Sequence, residues 1–453
     1  MDKIKRKKIF SIASPIIVSS LIMQVQILTD SMFLGQVDSD FFAAVGNAFF
    51  PFFLFQAFLM AIPTGTAVLI AQKIGANEPA KGKIFAESSY KYNTIFSILA
   101  FLFWFFFAKQ VFILMGAREP ILTYSTSYMQ FLSLTLIILG IDSTSQSILH
   151  GIGETKPLIY IGMLRSLLNI FLDWLLIFGK FGVPALGIKG AALATVISDF
   201  IGIPILFIII LRLNNKPFKI DLLSIFLSKW KHYKTVIKIG LPSGLEDVIW
   251  SLGNLIIVLF LNKLGKIETG IYNLIMRIEL TPYFIYIGFA KAAQTLVGNR
   301  IGEKNIKGAI EDGLSCLKYT LYVGIFFLIV FLFLPERVLA LFTPETDYVK
   351  IVIPFLMLAA AYLIPKAINI TVGHSIRGYG DTRWMLYTQI FGTIFLVSLS
   401  YFFIFIMNTG IYGFFYALIF DETIRATINI IRFLRGENWS SAFNYKELLQ
   451  KEY

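Results

Sequence analysis

Twelve times along this 453-residue chain there is an apolar stretch long enough to cross about 30 Å of hydrocarbon as a helix. The stretches fall at 10–34, 44–71, 92–115, 121–148, 158–178, 187–211, 239–261, 270–297, 314–334, 348–373, 384–407 and 411–433. Hydrocarbon offers no water to backbone N–H and C=O groups, so successive segments of this kind fold as a bundle of membrane helices. A chain that is 57% hydrophobic and 15% charged also has too little polar surface to stay in water as a soluble domain of this size. The expected class is an all-α polytopic membrane protein with twelve transmembrane helices.

The connections between stretches sort by charge. Lys3 to Lys8, Lys73/Lys81/Lys83, Lys156, Arg212 to Lys238, Arg300/Lys304/Lys307, Arg377/Arg383 and the tail beyond Arg432 are basic. They alternate with connections that hold only Arg118, Lys180, Lys263/Lys266 and Arg337. Excess Lys and Arg mark cytoplasmic loops. The reading is a multi-pass protein of the cytoplasmic (inner) membrane with both termini inside. Topology then accounts for the net charge of +12, and nucleic acid is not expected as a partner. The basic start at Met1 runs into an apolar stretch holding Pro15, Gln24, Gln26 and Asp30 rather than a short core with a small-residue cleavage site, and is read as a retained first span.

An internal repeat divides the chain. Ser14-Pro15 is matched at Leu241-Pro242, Gln72-Lys73-Ile74-Gly75 at Asn299-Arg300-Ile301-Gly302, and Gly151 through Lys156 at Gly378 through Arg383, each 227 residues on. Gly187-Ile188-Lys189-Gly190 is echoed by Gly410-Ile411-Tyr412-Gly413 after a small deletion. Shared hydrophobicity does not supply matched Gly, Pro and charged positions, so the halves are read as a duplication. Six spans per half makes them parallel repeats. The division is 1–212 for the N-terminal six-helix lobe, 213–238 for a cytoplasmic linker with an amphipathic stretch from Leu222 to Ile239, 239–435 for the C-terminal lobe, and 436–453 for a cytoplasmic tail.

Ionisable residues inside spans mark function by default. Asp30 lies in the outer half of the first span. Asn169 and Asp173, four apart on the fifth, share a face, and Thr195 on the sixth offers a hydroxyl. Two carboxylates sharing low-dielectric space are suited to a shared proton or to Na⁺ held by the oxygens of Asp30, Asn169, Asp173 and Thr195. Arg165 is a candidate partner of Asp173. Gln24 and Gln26 are candidate polar residues of a substrate cavity. In the second half Glu246, Arg277, Glu279 and Lys366 are candidates for a further site, with Glu246 within reach of Arg277 across a bundle. The aromatic runs at Phe101–Phe107 and Phe49–Phe53 suit lipid-facing packing or a cavity wall.

Other chemistries lack residues. Cys316 is the single cysteine, and His150, His232 and His374 have no ligand-like spacing. The Gly-x-Gly turns have neither a preceding strand nor the Lys-Ser/Thr ending of a phosphate loop. No enzyme activity and no cofactor other than H⁺ or Na⁺ as coupling ion is expected.

Taken together, the twelve spans, Pro15 through Asp30, Phe33-Leu34-Gly35, Ala71 through Gly75 and Gly151 through Pro157 resemble the multidrug and toxic compound extrusion (MATE) family over nearly the whole chain. The resemblance implies a V-shaped two-lobe antiporter that works by alternating access, and a cavity formed within one polypeptide suits operation as a monomer. The resemblance also implies that H⁺ or Na⁺ drives the export of cationic amphipathic small molecules from a membrane. It places the coupling site on acidic residues of spans one and five, which fall here on Asp30 and Asp173 with Asn169 and Thr195 beside them, and a further acid of span seven on Glu246. The acid that some members carry in span ten is replaced by Lys366. The alternative is a flippase for a lipid-linked oligosaccharide or similar amphipathic lipid, which would turn cations such as Arg165, Arg277 and Lys366 toward an anionic headgroup. A passive scaffold or receptor has little reason to keep polar side chains inside spans one and five.

Overall fold

The structure, a computed structural model, describes residues 3–36, 39–213, 219–343 and 346–436. Residues 214–218 of the linker and 437–453 of the tail lie outside it. Among the described residues the regular elements are helical: α1 Lys3–Gly35, α2 Ser39–Ala61, α3 Thr64–Gly75, α4 Pro79–Leu114, α5 Ile121–Leu132, α6 Leu136–Ile152, α7 Lys156–Phe178, α8 Ile188–Leu211, α9 Leu222–Leu227, α10 Trp230–Leu264, α11 Lys266–Gly302, α12 Ile306–Phe333, α13 Pro335–Ala340, α14 Thr346–Tyr379, α15 Thr382–Tyr401 and α16 Ile411–Leu434. Each of the twelve apolar stretches is helical. Ten are long and apolar enough to cross a membrane. The other two are α11, which carries Arg277, Glu279 and Lys291, and α16, which carries Asp421, Glu422 and Arg425.

Three spans are assembled from shorter pieces, the eleventh being α15 continued by a π-helical segment at Phe402–Ile406. The second is α2 followed by α3, with Ile62-Pro63 as a turn between them. Pro63 has no N–H to donate to the preceding turn, and the chain restarts with Gly65 N–H on the Ile62 carbonyl and Ala67 N–H on Pro63. The fourth is α5 and α6 joined by a 3₁₀ turn at Ser133–Thr135. Pro15, Pro51, Pro242, Pro282, Pro354 and Pro365 are accommodated inside helices.

The helices gather into two compact units, residues 1–74 with 78–248 and residues 75–77 with 249–453. In the first, α1 packs on α7, α7 on α8, and α4 on α5 and α6. Its core includes Phe52, Trp104, Phe112, Met129 and Leu136. In the second, α14 packs against α11, α12 and α16, around Ile275, Phe331, Leu356, Tyr362 and Phe415. Phe103, Phe106 and Phe107 of α4 are exposed and Trp104 is buried, so most of that aromatic run faces outward and one ring locks the helix. In the other run Phe52 is buried, and the side chains of Phe49, Phe50 and Phe53 are outside the described residues.

The duplication is visible in the backbone. Gly153 and Gly380, 227 apart, both have positive φ (78° and 98°), as do Gly187 and Gly410 (53° and 59°). Asn77 and Lys304, also 227 apart, are left-handed at 61° and 59° although neither is glycine. A positive φ costs a non-glycine residue energy, so its recurrence at equivalent turns reflects a shared local fold.

The linker differs from expectation. Asp221 caps the six-residue α9 by accepting from Ser224 N–H at 3.2 Å, and Lys91 Nζ donates to the Phe226 and Ser228 carbonyls at 2.8 and 3.1 Å. Leu222, Leu223, Phe226 and Leu227 are exposed. The amphipathic stretch nevertheless does not run on to Ile239 as one surface element. From Trp230 onward it is the first part of α10, because Tyr233 and Val236 are buried against Ile62, Val68 and Phe85 and no Gly or Pro interrupts the helix before Gly240.

Candidate cation site

α1 and α7 pack side by side. Asp30 and Asp173 each stand five residues before their helix ends, Gly35 and Phe178, which sets them at one level about 7 Å inward at a rise of ~1.5 Å per residue. The two carboxyl groups are within hydrogen-bonding reach of each other. Asp173 is 1% exposed, and neither of its carboxylate oxygens has a donor among the described residues. Facing carboxylates are acceptors only, and a contact between them becomes a hydrogen bond only when one carries a proton.

The surrounding amides complete the cluster. Gln26, one turn before Asp30, hydrogen-bonds it and accepts from Ser166 Oγ at 2.8 Å. Asn169 is fully buried. With its amide nitrogen toward Asp30 it donates to Oδ1 at 3.2 Å while its oxygen accepts from the Thr195 backbone N–H at 3.2 Å. In the opposite orientation Nδ2 reaches Thr195 Oγ1 at 3.4 Å. Tyr128 of α5 is close enough to feel both carboxylates. Asp30, Asp173, Asn169, Thr195 and Gln26 are thus brought together. Gln24 is buried, but two positions from Gln26 it occupies another face of α1. Tyr128 and Ser166 carry no signal in the sequence, since a tyrosine and a serine in apolar helices look like packing residues.

Arg165 does not reach Asp173. Its Nε and Nη2 donate to Asp199 Oδ1 at 2.9 and 2.6 Å, and Nη1 to Asp142 Oδ2 at 3.1 Å. Two turns of α7 separate Arg165 from Asp173, and the guanidinium turns instead to α6 and α8, where Gly202 leaves room for its stem. The second unit has a counterpart. Arg425 donates to Asp421 Oδ2 at 2.7 Å, to Glu422 Oε1 at 3.1 Å and to Gln389 Oε1 at 3.2 Å. Asn369 joins by donating to Glu422 Oε2 at 3.0 Å.

The remaining candidates separate. Lys366 and Glu279 form an ion pair at 2.6 Å. Arg277 is exposed, on another face of α11 from the buried Glu279. Glu246 is buried on the part of α10 that belongs to the first unit, so it does not share a compact unit with Arg277, Glu279 and Lys366. Two of the three cations that a flippase would direct at a headgroup, Arg165 and Lys366, are engaged by carboxylates.

A helical membrane bundle built from two repeats, with an acid pair buried inside one of them, is the architecture of a transporter. The MatE family profile matches the chain twice, over residues 15–175 and 242–402, and both limits differ by the same 227 residues as the sequence repeat. The chain belongs to this family. A probable multidrug resistance protein NorM from Thermotoga maritima is 27% identical over 444 residues, covering 95% of this chain and 93% of that protein. The uncharacterized transporter YisQ of Bacillus subtilis is 25% identical over 441 residues, covering 96% and 95%. An outward-facing MATE transporter structure superposes with a TM-score of 0.87 at 20% identity, covering 96% of this chain and 97% of that one.

Proposed function

We propose that this protein is a multidrug efflux antiporter that exports cationic amphipathic molecules across the cytoplasmic membrane in exchange for H⁺ or Na⁺, by alternating access. The observation that carries the reading is the Asp173 carboxylate, buried beside Asp30 with both oxygens lacking a donor among the described residues. A bare carboxylate in that position is costly, and a proton shared with Asp30 or a small cation offsets the cost. Oxygen donors from Asp30, Asp173, Asn169 and Thr195 form a hard ligand set suited to Na⁺. The names of the relatives support drugs as the substrate class.

In this reading the empty acid pair favours one arrangement of the spans and the occupied pair another, so that ion and cationic drug bind in mutual exclusion. By linkage, the affinity each loses in the presence of the other is the same, and that shared loss is the antiport coupling. Both termini are cytoplasmic, one polypeptide suffices, and the lobes are 1–212 and 239–435 with 213–238 between them, the last part of which, from Trp230, is the start of α10.

Efflux of a fluorescent organic cation from proteoliposomes, with ΔpH and Na⁺ gradients imposed separately, tests the proposal. Wild type responds to one gradient, and Asp30→Asn to neither while inserting normally. Coupled efflux of undiminished rate from Asp30→Asn would sink the role of the acid pair.

A further inference from the structure

α9 turns its apolar side outward. Leu222, Leu223, Phe226 and Leu227 stand at positions i, i+1, i+4 and i+5, which is one side of a helix, and they are between 50% and 73% exposed. The other side carries Ile225, which is buried and seats the helix on the first unit. A row of four large apolar side chains at this exposure marks a surface made to meet something apolar.

The height of α9 on the bundle selects the partner. Lys91 Nζ donates to the Phe226 and Ser228 carbonyls at 2.8 and 3.1 Å, and the Tyr92 hydroxyl donates to the Ser228 carbonyl at 3.4 Å. Trp230 packs edge-on against Tyr92 with ring centroids 5.0 Å apart. These contacts pin the end of α9 beside residues 91 and 92, where the third apolar stretch, 92–115, begins on the side that the charge pattern assigns to the cytoplasm. Trp and Tyr gather at the level where a span enters hydrocarbon. An amphipathic helix held there lies in the plane of the interface with its apolar side in the lipid.

Charge selects the kind of lipid. Lys219 before α9, Lys229 after it and Lys234 one turn beyond Trp230 are exposed. Asp221 is the only acid in the sequence between Arg212 and Lys238, and it is engaged in capping α9 through Ser224 N–H and Oγ at 3.2 and 3.3 Å. Glu87 of α4 is buried and pairs with Lys83 at 3.4 Å. The apolar row is therefore bordered by positive charge, which attracts anionic headgroups.

We infer that α9 is an interfacial helix that binds anionic phospholipid of the cytoplasmic leaflet. Leu222, Leu223, Phe226 and Leu227 enter the boundary between headgroups and acyl chains, and Lys219 and Lys229 meet lipid phosphates. This inference does not depend on the acid pair or on the antiport reading.

The test uses the full chain carrying Phe226→Cys labelled with bimane, in phosphatidylcholine nanodiscs doped with the same share of acyl-brominated phosphatidylcholine or acyl-brominated phosphatidylglycerol. Quenching by bromine reports entry of the row into lipid, and wild type, whose Cys316 is buried, supplies the labelling background. Both lipids quench, and the relative affinity read from the two quenching curves favours phosphatidylglycerol. Lys229→Gln lowers that ratio about fivefold, the effect of one lysine near an anionic surface, Lys219→Gln does the same, and raised salt lowers it too. A label at Leu223→Cys gives the same pattern, which guards against a local effect of replacing Phe226. Quenching by neither lipid overturns the proposal, and an intermolecular disulfide through Phe226→Cys would then assign the row to a second copy of the chain. Equal quenching by both lipids, or a preference that survives loss of Lys219 and Lys229 in a protein with a normal melting curve, overturns it as well.

Discussion

Gly202 and Arg165 are in such close contact that a β-carbon at position 202 would come within 2.3 Å of the arginine Cγ. The second unit holds the reverse arrangement: Gly392, 227 residues after Arg165, lies where a β-carbon would meet Arg425 Cδ at 2.4 Å. Arg425 follows Gly202 by 223, the offset that separates Gly187 from Gly410. The guanidinium therefore enters equivalent polar networks from opposite helices, and in each unit the glycine is on the helix facing the arginine. Gly202→Ala and Gly392→Ala should each destabilise by about 1–3 kcal/mol through overpacking, measured as a lowered melting temperature of the purified protein.

Arg165 is the single cation bound to both Asp142 and Asp199 among the described residues. Arg165→Met leaves two carboxylates without it and is expected to cost about 3–5 kcal/mol. Adding Asp199→Asn to that variant should recover part of the loss. Equal melting of the single and double variants would refute the network.

Asp173→Asn separates stability from transport. The new amide supplies a donor toward Asp30 and removes a buried carboxylate that has none among the described residues, so melting should be no lower than in wild type. Gradient-driven cation efflux should nevertheless be lost. A variant that melts normally and still pumps would show that Asp173 is dispensable.

Glu78, in the turn before α4, is bonded by Lys81 at 2.7 Å and Lys73 at 3.1 Å, and these hold its carboxyl below the usual glutamate value. A depressed folded-state value contributes stability that is present above the unfolded carboxylate value and lost as pH falls through the folded one. The melting difference between wild type and Glu78→Gln should be present at pH 7 and vanish in acid below that range.

Lys304→Gly should stabilise by about 1 kcal/mol, because glycine carries no penalty at the left-handed φ of 59°. Asn77→Gly at the matching turn should gain less, since asparagine tolerates this region better than lysine. Thermal melting of the two variants gives the comparison.

The acid pair is legible in the sequence because a carboxylate inside an apolar run is conspicuous whichever way its helix is turned. Asp30 and Asp173 therefore stand out, and the four-residue spacing brings Asn169 with Asp173. The partners of Arg165 are not legible. Whether it meets Asp173 or Asp199 depends on the rotation of α7 against α6 and α8, and one helix's spacing does not contain that information. Asp142 is hidden among the serines and threonine of α6 for the same reason. The repeat, by contrast, extends to backbone torsions, because Gly153 and Gly380 mark turns that the local sequence dictates.

The turn at Ile62-Pro63 divides the second span into two pieces. Residues 65–73 of α3 are buried throughout, and with no N–H on Pro63 a bend at this point sacrifices few ladder bonds. A change in the direction of α2 at this turn therefore costs less than one within α3.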